Sequence, residues 1–135
     1  MYGSYNTQKY MANGGFKKDG LNVFASFNHD QTNGHRDSSD FKINNGYLKA
    51  GYDISKNLRI NGDLSLANFD ATDPGMEGRH AGNTYDITRG MGAIVIDNKF
   101  DKSNGSVRFF YNFGEHKISD GFHSKDKNYG IVLYQ

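Results

Sequence analysis

From Leu58 to Leu66 the chain alternates without a break. Leu58, Ile60, Gly62, Leu64 and Leu66 fall on one side, and Arg59, Asn61, Asp63 and Ser65 on the other. Period two is the repeat of a pleated strand, not of a helix. The same pattern recurs along the chain. Leu21, Val23, Ala25 and Phe27 share a face. So do Leu48, Ala50, Tyr52 and Ile54, with Tyr47, Lys49, Gly51 and Asp53 opposite, and so do Val107, Phe109, Tyr111 and Phe113. The segment 86–100 is the most apolar, and its run Ala93-Ile94-Val95-Ile96 leaves its facing open.

These runs predict an all-β fold, an antiparallel up-and-down meander of about seven long strands in one segment covering 1–135. The predicted strands are 4–14, 21–30, 41–54, 58–69, 86–100, a sixth around Val107 to Phe113, and a seventh carrying Tyr129, Ile131 and Leu133. Asp101-Lys102-Ser103-Asn104-Gly105 reads as a hairpin turn, because Asn-Gly favours positive φ. Two properties set the layout apart from an ordinary sandwich. The strands run to about 10–14 residues where globular strands cluster near 5–6. The connections also alternate, short after strands one, three and five, and longer and more polar at 31–40, 70–85 and 119–126. Short turns at one rim and long loops at the other are the layout of an outer-membrane barrel. Alternation alone leaves both a lipid-facing and a core-facing apolar side open.

Composition adds little against a barrel. Only 36% of residues are hydrophobic, but a barrel wall shows lipid at every second position only. The single proline, Pro74, lies in a predicted loop. Sixteen Lys and Arg balance fifteen Asp and Glu, so no nucleic-acid partner is expected. There is no cysteine, hence no disulfide, thiolate ligand or thiol nucleophile. No apolar run approaches the roughly 20 residues of a transmembrane helix. Met1-Tyr2-Gly3-Ser4 opens directly in polar sequence, so no export signal is expected within the chain.

Candidate chemistry is sparse. His29, His35, His80, His116 and His123 all fall near the long-loop rim, but none forms a pair at ligand spacing on a strand. Polar loops gather such residues because water solvates them, so no metal site and no cofactor is expected. The scattered carboxylates and the absent Gly-x-Ser-x-Gly elbow predict no enzyme. Gly90-Met91-Gly92 lacks the third glycine and following helix of a phosphate loop, and reads as room for a neighbouring backbone or large side chain. Tyr52 and Phe100 toward one rim, with Phe27, Tyr111, Phe113 and Phe41 toward the other, suit the two aromatic girdles of a membrane barrel.

Three stretches, Asn45-Gly46-Tyr47-Leu48-Lys49-Ala50-Gly51-Tyr52-Asp53-Ile54, Ile87-Thr88-Arg89-Gly90-Met91 and Phe110-Tyr111-Asn112-Phe113-Gly114, resemble early-barrel strands of TonB-dependent outer-membrane receptors. The resemblance is to the Bacteroidetes-type siderophore receptors in particular, and extends over almost the whole chain. It implies a wall segment of a 22-stranded barrel, without the plug domain or the box that contacts the energy-coupling protein. The function it implies is active import of iron-siderophore-type ligands across the outer membrane, with no complete activity in the segment alone. Expected partners are outer-membrane lipid, the rest of the parent barrel and an iron complex, with self-association through open strand edges. His80, Arg89 and His116 are the expected vestibule contacts. The alternatives from other classes are a self-contained soluble β-barrel or sandwich that binds a hydrophobic ligand or partner, and an adhesion module that associates through its edges.

Overall fold

The structure, a computed structural model, describes residues 1–76 and 82–135. Eight strands follow one another in a single antiparallel sheet, in the order β1 to β8. They are β1 Tyr2–Gly3, β2 Thr7–Lys18, β3 Leu21–Thr32, β4 Phe41–Asp53, β5 Leu58–Thr72, β6 Thr84–Phe100, β7 Ser103–Ile118 and β8 His123–Tyr134. Each pairs only with its sequence neighbours, and the sheet is not closed. The all-β meander is therefore as expected, with one additional short strand. Tyr5 and Asn6 both take positive φ, which folds Tyr2–Gly3 back onto Thr7 and Gln8.

Several boundaries differ from the sequence reading. The first long strand continues beyond Gly14 to Lys18, because the turn needs only Asp19 and Gly20. Both have positive φ (48° and 81°), the signature of a type I′ hairpin whose twist matches the strands it joins. The Asn104-Gly105 pair is not a turn. Asp101 and Lys102 make the connection, and Asn104 and Gly105 sit in the ladder opposite Lys99 and Asn98. Gly105 serves close approach instead, since a β-carbon there would lie 2.5 Å from the Tyr134 carbonyl oxygen. The connection after β7 contracts to four residues, 119–122, which places Lys125 and Asp126 in β8. Gly121 at φ 98° and the Ile118–Phe122 hydrogen bond close it tightly. Only the connections from Thr32 to Phe41 and from Thr72 to Thr84 are long.

Cross-strand register places residues at common heights, because directly paired residues point to the same face. One face carries four successive apolar layers. They run through Leu21, Tyr52, Ile60, Ile96 and Val107; Val23, Ala50, Gly62, Ile94 and Phe109; Ala25, Leu48, Leu64, Gly92 and Tyr111; and Phe27, Gly46, Leu66, Gly90 and Phe113. The register thus settles the facing of β6, with Ile94 and Ile96 in this band and Ala93 and Val95 behind it. Lys18 and Lys127, on the outer strands β2 and β8, are the only charges in the four layers.

Above the fourth layer the band face turns polar. The band face continues through Asn44, Asn68, Thr88 and Glu115, then Lys42, Asp70, Asp86 and Lys117. The opposite face is mixed behind the band, with Lys49 and Asp63 paired and Arg59 opposite Asp97, beside Ala93, Val95 and Phe110. Higher up it turns apolar through Ile43, Phe69 and Ile87, then Phe41, Ala71, Tyr85 and Ile118. The rings of Phe41 and Phe69 meet edge to face at 5.4 Å. Phe41 therefore belongs to this second cluster and not to the girdle of Phe27 and Phe113.

Both faces expose large apolar side chains, since Phe24 at 43%, Met91 at 42% and Val132 at 52% lie behind the band. Leu64, Ile94 and Phe109 of the band are 54%, 51% and 43% exposed. Phe69, Ile87 and Phe110 on the other side are half-buried.

Glycines let aromatic rings lie flat across the ladder. The Phe113 ring covers Gly90, and a β-carbon there would overlap it, which matches the expected role of Gly90. Gly92 meets only ordinary contact with Leu64. On the other face Phe110 covers Gly130. Gly90→Ala is therefore expected to lower the stability of the folded chain by about 1–3 kcal/mol. Gly46→Ala, in open space, should change it by less than about 1 kcal/mol. Urea unfolding of both variants in detergent micelles checks the contrast.

Candidate functional site

Two of the hydrogen-bonded polar groups on the non-band face each join three strands. At the short-turn end Arg59 donates from Nη1 to Asp53 Oδ1 at 2.6 Å and from Nε to Asn61 Oδ1 at 2.9 Å. Asn61 then donates from Nδ2 to Asp97 Oδ2 at 2.9 Å. Gly51 makes this possible, since a β-carbon there would come within 2.6 Å of Asn61 Oδ1. The chain thus ties three strands, β4 to β6, through side chains alone.

Toward the long-loop end, the structure brings together two of the three expected vestibule residues. Arg89 of β6 donates to His116 Nε2 of β7 from Nε at 3.1 Å and from Nη2 at 2.9 Å. An imidazole nitrogen that accepts carries no proton, so the His116 proton resides on Nδ1. Asp126 of β8 completes the group, with Oδ1 3.8 Å from Arg89 Nη2. It reaches across β7 because the residue between is Gly114, where a β-carbon would sit 2.5 Å from that same oxygen. Sequence reasoning placed Asp126 in a loop and so missed it, although a glycine between two charged positions is a legible sign of such a crossing. His80 lies outside the described residues.

Arg89 and Asp126 remain 60% and 54% exposed, so their ion pair adds little to stability. Its chemical value is positional. A guanidinium offers a planar fork to a carboxylate or other oxyanion, and Asp126 holds that place at a loose distance. His116 shares the layer of Ile87 and Phe69, of the apolar group on the same face, and Arg89 and Asp126 lie one layer beneath. A ligand with an anionic part and an apolar part would find both within one or two layers. A depression of about 500 Å³ opens at the rim beside Phe41, Ala71, Tyr85 and Ile118; neither Arg89 nor His116 lines it.

The other described histidines have separate partners. His29 pairs through Nδ1 with Asn44 Oδ1 at 2.7 Å and stacks on Tyr10, both on the band face. His123 pairs through Nε2 with Glu115 Oε1 at 2.8 Å, also on the band face. His35 lies in the 33–40 loop, edge-on to Tyr5. Among the described residues no three of His, Asp or Glu converge as metal ligands.

Glu115, above the apolar band, accepts from His123, Lys125 and Lys117, and these hold its carboxyl at about 2 instead of the usual 4.5. A depressed carboxylate contributes stability above its ordinary value, and that contribution fades as the pH falls through about 2.

No protein-family model, curated protein or solved structure matches the chain. The structure defines the fold class, an open all-β meander, and the register defines the faces.

The His116 tautomer is directly measurable. Nitrogen-15 spectra of the neutral ring should show the proton on Nδ1, and Arg89→Ala should release that preference. An Nε2-protonated ring in the unaltered chain would contradict the Arg89–His116 contact.

Proposed function

We propose that this chain is wall of an outer-membrane β-barrel receptor, with the apolar band toward lipid and the opposite face toward the lumen. The observation that carries the reading is the change of the band face from apolar to polar at one height across β4 to β7. A soluble sandwich or barrel keeps one face as core along the whole strand. A membrane barrel is apolar outside only within the bilayer, is polar outside above it, and keeps polar groups on the inner wall.

The dimensions agree with that reading. From Leu58, just below the first layer, to Leu66 the apolar positions of β5 run eight residue steps, about 27 Å along the strand at about 3.4 Å per residue. A tilt of about 40° brings the height to about 20 Å, near the roughly 25 Å apolar belt of such barrels. Ile54 and Phe100, each about half exposed, flank its lower edge. The open edges at β2 and β8 supply main-chain groups for neighbouring strands of a larger barrel. By this reading the protein resides in the bacterial outer membrane, has no catalytic activity, and contributes to active uptake through a TonB-dependent receptor.

The substrate class, iron-siderophore-type complexes, rests on the resemblance of Asn45 to Ile54, Ile87 to Met91 and Phe110 to Gly114 to that receptor family. Arg89 and His116, on the lumen face beneath an apolar rim, are the contacts proposed for the ligand, with His80 as the third.

Fractionation of source cells with an antibody against this segment tests the location. The account expects the signal in the outer membrane and increased abundance of the protein under iron starvation. A soluble-fraction signal would overturn it. Joint alanine substitution of His80, Arg89 and His116 should lower the affinity of the full receptor for its iron complex about tenfold or more. Unchanged affinity would remove these residues from the site.

A further inference from the structure

Resting on the lipid-facing reading of the band, we propose that Lys117 of β7 and His123, Lys125 and Lys127 of β8 form a docking site for the phosphate head group of an anionic lipid. All four side chains point to the band face, where Lys117 pairs with His123 in the ladder, Glu115 with Lys125, and Phe113 with Lys127. They form a column that begins in the top apolar layer and rises through the two polar layers above it. That is the height at which lipid head groups meet a membrane wall.

Strand β8 separates its charges by face. His123, Lys125 and Lys127 alternate on the band side, whereas Asp126 points to the other side and pairs with Arg89. Lys127 forms no ion pair among the described residues and stands beside Phe113 and above Tyr129. That position lets its alkyl stem cover apolar surface while its ammonium stays in water.

Two carboxylates answer this column, and neither neutralises it. Glu115 Oε1 is shared among His123 at 2.8 Å and the ammonium groups of Lys117 and Lys125, each at 3.2 Å. Asp86 lies 4.0 Å from Lys117. One oxygen with three donors leaves most of their N–H groups free. A lipid phosphate, with several oxygens and its acyl chains lying down the band through Phe113 and Tyr111, complements both the charge and the apolar surface below it.

The test uses the purified full chain with vesicles of phosphatidylcholine alone, or of phosphatidylcholine and phosphatidylglycerol in equal parts, separated by flotation. A lysine near an anionic surface strengthens binding about fivefold, so three should favour the anionic vesicles by on the order of a hundredfold. Lys117→Gln/Lys125→Gln/Lys127→Gln should bind both vesicle types alike. The Lys→Arg triple should keep the preference. Lys9→Gln/Lys17→Gln/Lys49→Gln, equal in charge but on the opposite face, should also keep it. Glu115→Gln should raise it by freeing the cations.

If the unaltered chain binds both vesicle types with equal strength, this proposal fails while the lipid-facing reading stands. If the chain floats with neither, the lipid-facing reading fails and this site with it. Loss of the preference in millimolar inorganic phosphate at constant ionic strength would assign the column to free phosphate and overturn the lipid proposal.

Discussion

Everything in this sheet depends on cross-strand register. With a side-chain period of two, a slip of one residue between neighbouring strands would send every band residue of one strand to the wet face. Short connections prevent that slip at three places along the lower rim. Asp19-Gly20 fixes Lys18 opposite Leu21, Asp101-Lys102 fixes Phe100 opposite Ser103, and the Ser55–Leu58 hydrogen bond closes the turn between β4 and β5. With these in place, Leu48, Leu64 and Tyr111 share a height, and the polar layer of Asn44, Asn68 and Glu115 begins at the same level in each strand.

Side-chain interactions then work within that register instead of creating it. Phe113 over Gly90 and Phe110 over Gly130 bind neighbouring strands on opposite faces. The Arg59 and Arg89 groups do the same with hydrogen bonds on the wet face. Exposed ion pairs contribute little individually. The large remaining term is the band itself, where removing apolar surface from water is worth about 25 cal/mol per Å². Leu64, Ile94 and Ile131, each more than half exposed, realise that gain only against lipid or another apolar covering.

Much of this was legible in the sequence, because period-two alternation reports faces directly. The fold class, the direction of successive strands and the role of Gly90 all follow from single-strand patterns. The change of the band face from apolar to polar was harder to read. Its mark is the adjacent apolar pair Leu66-Ala67, after which Asn68, Phe69, Asp70 and Ala71 alternate in the opposite phase. In one strand that phase change resembles a strand end. Only the ladder shows that Asn44, Thr88 and Glu115 change at the same height. The Asn104-Gly105 turn signal misled because the same glycine preference arises from close approach by the Tyr134 carbonyl. The Arg89–His116–Asp126 group needed three strands in register, and one of its members lay in a segment read as loop.

The central claim is that β5 faces lipid along part of its length and then stops doing so. The absence of native cysteine makes each single-cysteine variant across 58–72 a unique spin-label site. In the membrane-bound chain, contact with oxygen dissolved in lipid should peak at even positions from 58 to 66, while a water-soluble relaxant reaches the odd ones. From 68 onward the even positions should lose lipid contact and become open to the water-soluble reagent. An alternation that continues in phase through 72, or no lipid contact at any position, would contradict the account.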